Sequence, residues 1–165
     1  MEYQDIPREA EEKETLLAFL RWQRDTLERK CSGLSEEQLR SKSAPPSNLS
    51  LLGLVRHMAD VERGWFAKTL GGVDVGYLYG SEEKPDSDFE DAAAADVGEA
   101  FTQWGEECQR ADGILAGRAL DSVGHQETGR PVSTRWVLVH MVEEYSRHNG
   151  HADLLRERID GAVGY

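Results

Sequence analysis

Residues 136–159 read WVLVHMVEEYSRHNGHADLLRERI, and this stretch decides the fold. Its apolar residues recur at intervals of three or four, which is the period of an amphipathic α-helix. Either Ser133 or Thr134 supplies the N-cap, because a hydroxyl at that position can accept a hydrogen bond from a free backbone amide. The stretch therefore predicts one long helix that must bury its apolar side against other helices.

Three earlier segments show the same period and are followed by glycine, which commonly ends a helix. They span about residues 8–31, 50–70 and 93–116. Residues 71–92 show no period and predict a long connection, and no segment alternates convincingly with a period of two. The sequence thus predicts an all-α fold, a four-helix bundle with long crossover connections, built as one domain of residues 1–165.

The charge balance excludes some classes of partner. The chain has 165 residues, with 19 Lys and Arg against 31 Asp and Glu, which gives a formal net charge of −12. Binding to nucleic acid or to an anionic membrane surface needs a basic surface, so neither partner is expected. Nearly all of this net charge comes from residues 1–14 and 82–99, where solvation explains the excess of acidic residues.

Cysteine usage and the N-terminal sequence predict a cytoplasmic protein. Cys31 and Cys108 form no C-x-x-C pair, which argues against both a disulfide framework and a thiolate zinc site. The N-terminal residues MEYQDIP lack the basic and apolar regions of a signal peptide, and no apolar run reaches the length of about 18 residues that a membrane helix requires.

Glu144 is the most informative residue of the last predicted helix. At about 100° per residue, His148 falls in the middle of the apolar side, and Glu144 falls on the same side about 40° away. A carboxylate that faces a core is costly unless another group neutralises it. His57, on the second predicted helix, lies at the edge of an apolar stripe and can reach the same interior.

These three residues are a candidate metal site. Helical bundles often hold metals between Glu and His of facing helices, and three N,N,O ligands leave a coordination position open for catalysis. Zinc is the first metal to expect, with nickel, iron and manganese as alternatives, because the ligand set does not determine the metal. A buried Glu144–His148 or Glu144–Arg pair without metal is the competing interpretation.

The other histidines of the last predicted helix have less defined roles. His151 is a candidate general base for proton transfer. The alternatives are that it is a fourth ligand, a residue that hydrogen-bonds to a ligand, or a partly exposed polar residue. His140 is expected to be a partly exposed polar residue, and His125 is assigned no role.

Two stretches resemble the DinB-like superfamily, in particular its actinobacterial branch related to mycothiol-dependent maleylpyruvate isomerase. They are LLGLVRH followed by MADVERGWF at residues 51–66, and HMVEEYSRHNGHADLLRE at residues 140–157. The resemblance implies a metal-binding all-α bundle with His57, Glu144 and His148 as ligands. This chain has Glu144 where many members of the superfamily carry the first histidine of a His-x-x-x-His pair. It has His151 where those members usually carry a glutamine.

The same resemblance implies enzymes that use a thiol of low molecular weight. We therefore expect a divalent-metal-dependent S-transferase or isomerase that activates mycothiol for attack on an electrophilic substrate. Attack by an activated water is the hydrolytic variant at the same site. The competing hypothesis is a bundle that binds a metal or a small ligand without turnover, such as a dimeric regulatory or stress protein.

Overall fold

Four long helical segments form the all-α fold of the computed structural model, which describes residues 5–164. The long segments are α1 (Glu12–Cys31), α3 (Leu51–Glu62) with a π-helix (Arg63–Leu70) directly after it, α5 (Val97–Ala116) and α6 (Thr134–Asp160). The short elements are α2 (Glu36–Arg40), α4 (Ser87–Glu90), a 3₁₀-helix (Asp91–Ala94), β1 (Val123–His125) and β2 (Pro131–Ser133). The predicted all-α class is confirmed. Residues 1–4 and 165, which belong to the predicted domain of residues 1–165, lie outside the described residues, and so does the start of the N-terminal stretch MEYQDIP.

Hydroxyl and carboxylate caps set where the helices begin. The side chain of Ser133 accepts from the amide of Trp136 over 3.2 Å, so Ser133 is the cap of α6. Asp96 caps α5 in the same way, accepting from the amide of Glu99 over 2.8 Å. The third predicted helix corresponds to α5. It starts at Val97 and not at the predicted residue 93, because residues 91–94 form a separate 3₁₀-helix.

Three further predictions differ from the structure. The first helix begins at Glu12 and not near residue 8, and residues 87–92 of the predicted connection are helical. The second helix is not one continuous α-helix, since its hydrogen bonds widen after Glu62 and the amide of Gly71 donates to the carbonyl of Phe66 over 2.8 Å.

The small antiparallel hairpin of β1 and β2 was not predicted. Each strand has three residues, too few to produce a readable alternation. The hairpin packs against the end of the π-helix at Gly124, where a Cβ atom would lie 2.3 Å from the carbonyl oxygen of Thr69. Only glycine permits this approach.

Packing of α1 against α6, and of α3 against both α5 and α6, buries an apolar core. Its largest fully buried side chains are Tyr145, Phe66, Leu20, Leu27, Leu51, Leu52, Leu54, Met58, Leu115, Leu138, Met141 and Leu155. None of the helices in residues 5–164 combines the length and the apolar character that crossing a membrane demands.

The carboxylate inside this core is Glu62, which is fully buried. The guanidinium of Arg24 donates to both of its oxygens over 2.7 Å, and the hydroxyl of Tyr145 donates to Oε1 over 2.8 Å. Burial, together with the nearby Glu62 charge, raises the pKa of Tyr145 well above its usual range, so the phenol stays a hydrogen-bond donor. Glu144, expected to face the core, lies instead at its edge with a side chain that is 18% exposed.

Candidate metal centre

The predicted ligands His57, Glu144 and His148 lie together. One potential ligand atom from each falls within 4.8 Å of the other two. The Nε2 atom of His148 is 3.5 Å from Oε2 of Glu144, and the rings of His57 and His148 meet edge to face at 4.7 Å. Two nitrogens and one oxygen therefore converge where α3 contacts α6.

Helices α3 and α6 hold these three residues at fixed positions. Glu144 and His148 are four residues apart on α6, so their side chains lie one turn apart on the same face. His57 lies in the middle of α3, with buried residues on both sides of it. Helical positions hold side chains more precisely than loop positions do.

His148 is neutral at physiological pH. Burial is the main cause that lowers its pKa to about 4, and the neighbouring His57 and His151 lower it further. A neutral imidazole keeps the lone pair that a metal needs. The chemistry of this donor set therefore fits a divalent metal.

The Nδ1 nitrogen of His57 has a carboxylate partner, Asp88. It lies 2.7 Å from Oδ2 of Asp88, which is 5% exposed, and the His57 ring stacks on Phe89 at 5.0 Å. Metal-binding histidines commonly donate their second N–H to such a carboxylate. Sequence reasoning missed Asp88, because nothing local separates it from the other acidic residues of its connection.

His151 lies beside His148, on the nitrogen opposite Glu144. The Nδ1 atoms of the two rings are 3.4 Å apart, and the ring centroids are 5.3 Å apart. This places His151 as a neighbour of a predicted ligand. Its predicted proton transfer stays a prediction.

His140 is partly exposed, as expected, but it also contacts two tryptophan rings and Glu144. Its ring stacks on Trp136 at 5.0 Å and meets the edge of Trp65 at 4.7 Å, and its Nε2 atom lies 3.6 Å from Oε1 of Glu144. The side chain is 22% exposed. Its Nδ1 atom lies 3.6 Å from Glu143, so within residues 5–164 a second group of potential ligands shares Glu144 with the first.

A cleft of about 350 Å³ opens beside His57 and Asp88. Its walls come from the π-helix, which contributes Trp65 and Lys68, and from the connection after it, which contributes Tyr77. Such a volume is typical of a small-molecule site. The cleft gives a ligand a route to His57.

The cysteines and His125 are not part of this arrangement. Burial raises the pKa of the Cys31 thiol to about 12, and burial likewise raises the pKa of Cys108. Both thiols are therefore protonated and inert at neutral pH. His125 is exposed in β1.

The all-α fold and a match to a family profile together identify a DinB-like helical protein. The sequence profile described as "MST: Mycothiol-S-transferase" matches residues 15–161. The chain belongs to the mycothiol S-transferase family.

Solved structures that share the fold include the following two. A conserved protein from Enterococcus faecalis has a TM-score of 0.65 at 14% identity, with 93% of this chain and 100% of that chain covered. A mutant of mycothiol-dependent maleylpyruvate isomerase has a TM-score of 0.62 at 13% identity, with 99% of this chain covered. This chain spans 65% of the isomerase's length. No functionally curated protein matches the sequence significantly.

Proposed function

We propose that this protein is a divalent-metal-dependent enzyme that uses mycothiol as cosubstrate, in S-transfer or isomerisation, with a metal held by His57, Glu144 and His148. One observation carries the proposal: three potential ligand atoms from two helices converge within 4.8 Å. Membership of the mycothiol S-transferase family supports the thiol. Zinc is the first metal to test, and nickel, iron and manganese follow.

The residues of the site divide the work between binding and proton transfer. A divalent metal supplies Lewis acidity, which lowers the pKa of a thiol and makes thiolate available at neutral pH. In S-transfer the thiolate sulfur forms a bond to an electrophilic carbon, and the leaving group takes the electron pair of the bond that breaks. His57, Glu144 and His148 hold the metal, and His151 is the proposed carrier of the proton.

The cleft beside His57 would admit the substrates. Trp65 and Tyr77 present aromatic surface, and Lys68 is a cation paired with Glu127 over 3.1 Å. The cleft thus combines apolar area with a few polar groups, as small-molecule sites do. We propose that the electrophile approaches through it.

Metal analysis of the purified protein tests the site. We expect one equivalent of metal in the wild type, and loss of that metal in His57→Ala and in His148→Ala. His125→Ala is the matched control, because this histidine is exposed in the hairpin, and it should keep the metal. Full metal content in both site variants would refute the ligand assignment.

Thiol consumption tests the reaction. Mycothiol is supplied with a panel of electrophiles, and its disappearance is compared with and without a chelator. We expect consumption that depends on the metal. If the protein binds a small molecule but consumes no thiol, the function is binding without turnover.

A further inference from the structure

One face of α3 carries the residues that hold residues 71–90, the connection that follows the π-helix and includes α4. Gly53, Arg56, His57 and Asp60 follow the spacing i, i+3, i+4 and i+7, which places them on one side of a helix. His57, one of the proposed ligands, is therefore surrounded by residues that contact the connection.

Asp60 fixes the first part of the connection. Its carboxylate accepts from the backbone amides of Leu78, Tyr79 and Gly80, over 2.5, 3.1 and 3.1 Å. Three amide donors on one carboxylate hold three consecutive residues against α3.

Arg56 fixes the last part. Its guanidinium donates to the carbonyl of Asp88 over 2.9 Å and to the carbonyl of Ser87 over 3.1 Å. It also lies over the ring of Tyr79, 4.0 Å from the ring centroid, and Arg56 is itself buried. The residue that precedes His57 therefore sets the backbone position of Asp88.

Gly53 permits the close approach of this segment. A Cβ atom at position 53 would lie 3.0 Å from Cδ1 of Phe89, which is tighter than van der Waals contact allows without a shift. With glycine there, Phe89 packs on α3 and stacks on His57. The helix tolerates a poor helix former because the segment needs the space.

The Asp88 carboxylate is held in one orientation. Its Oδ1 atom accepts from the amide of Phe89 over 2.9 Å, which leaves Oδ2 facing Nδ1 of His57 at 2.7 Å. An ionised carboxylate can only accept hydrogen bonds, so the His57 proton belongs on Nδ1 and the lone pair on Nε2.

We infer that Asp88 is the positioning residue of His57: it selects the Nδ1–H tautomer and orients Nε2 toward Glu144 and His148, and Arg56 holds the backbone of Asp88 in place. The use of Nε2 as a ligand rests on the proposed function. The choice of tautomer does not, because it is a property of the metal-free chain.

The test reads the tautomer directly in the metal-free protein. Long-range ¹H–¹⁵N correlation spectra of histidine-labelled full-length chain at about pH 8.5, where imidazoles are neutral, distinguish Nδ1–H from Nε2–H. We expect Nδ1–H for His57 in the wild type. An asparagine at position 88 can donate its amide N–H to Nδ1, so Asp88→Asn should move the proton to Nε2. A wild-type His57 protonated on Nε2 overturns the inference without any variant.

Zinc affinity, measured by competition with a chromophoric chelator, is the second readout. We expect Asp88→Asn to weaken zinc binding about 10- to 100-fold. Asp86→Asn is the matched control, since Asp86 is exposed and makes the same charge change two residues away, and it should leave both tautomer and affinity unchanged. A folded Asp88→Asn protein with wild-type tautomer and affinity overturns the inference. If the wild type binds none of zinc, nickel, iron and manganese, the proposed function fails while the tautomer measurement still decides this inference.

Discussion

The hydroxyl of Tyr145 donates a hydrogen bond of 2.8 Å to Oε1 of Glu62, where neither side chain is exposed to solvent. The bond joins α6 to α3, and Arg24 joins α1 to the same carboxylate. Tyr145 directly follows Glu144 in the chain. The bond therefore fixes the rotation of α6 about its own axis next to the candidate metal centre.

Tyr145→Phe should lower the free energy of unfolding by about 1–2 kcal/mol. Its hydroxyl also accepts from Nε1 of Trp104 over 2.8 Å, so removing it leaves a buried donor and a buried carboxylate short of a partner. Urea unfolding measures the change, with Tyr77→Phe, a change at an exposed ring, as the control. Equal midpoints for the two variants would contradict the prediction.

Arg24→Met should lower the free energy of unfolding by about 3–5 kcal/mol, because it leaves the buried charge of Glu62 without its cation. The double variant Arg24→Met/Glu62→Leu removes both charges and should recover much of the loss. A double-mutant cycle by urea unfolding measures the coupling. Simple additivity of the two single changes would show that the pair is not coupled.

The metal-free protein should lose stability as the pH falls from about 6.5 to about 4. The pKa of His148 is lowered to about 4 in the folded chain, mainly by burial. The unfolded chain therefore binds a proton that the folded chain does not, and stability rises with pH in this window. Since the ring is only partly shielded from water, we expect a contribution of about 1–2 kcal/mol. His148→Gln should flatten this part of the stability profile, and an unaltered profile would remove His148 as its cause.

Two glycine substitutions should act in opposite directions. Gly53→Ala should destabilise by about 1–3 kcal/mol, because its Cβ meets Phe89 at 3.0 Å. Gly105→Ala lies in α5 with no atom within 4 Å of the added Cβ, and it should stabilise by up to about 1 kcal/mol. Thermal unfolding compares them, and a stabilising Gly53→Ala would show that the Phe89 contact yields easily.

His151→Asn should reduce kcat about 100-fold while the metal stays bound, if His151 carries the proton as proposed. Its control is His125→Asn, outside the site. Metal content and turnover are measured on the same preparations. Loss of metal from His151→Asn would instead show that His151 is a fourth ligand or holds His148, the neighbour whose Nδ1 atom lies 3.4 Å from its own.

The helical features of this chain were predictable because they depend on residues that are close together in the sequence. The apolar pattern of α6 and the single helix face shared by Glu144 and His148 follow from helix geometry alone. The capping box at Ser35 and Gln38, where α2 begins, is likewise a local feature, since its two residues are only three positions apart.

The missed features depend on contacts that are distant in sequence. Asp88 is 31 residues from His57, and Glu62 is paired with Arg24 across 38 residues. No local pattern identifies which acidic residue will be paired inside a fold. His140 is partly exposed as expected, but its ring contact with Trp65 was missed for the same reason, because Trp65 lies on another helical segment.

The attachment of residues 78–80 to Asp60 also has a consequence for native-state hydrogen exchange. Because three consecutive amides share one carboxylate acceptor, they should become exchangeable in a single opening event. That event needs no separation of α1 from α6, so it should occur at a lower free energy than global unfolding. The connection would then behave as its own cooperative unit, able to open and close while the helices stay folded.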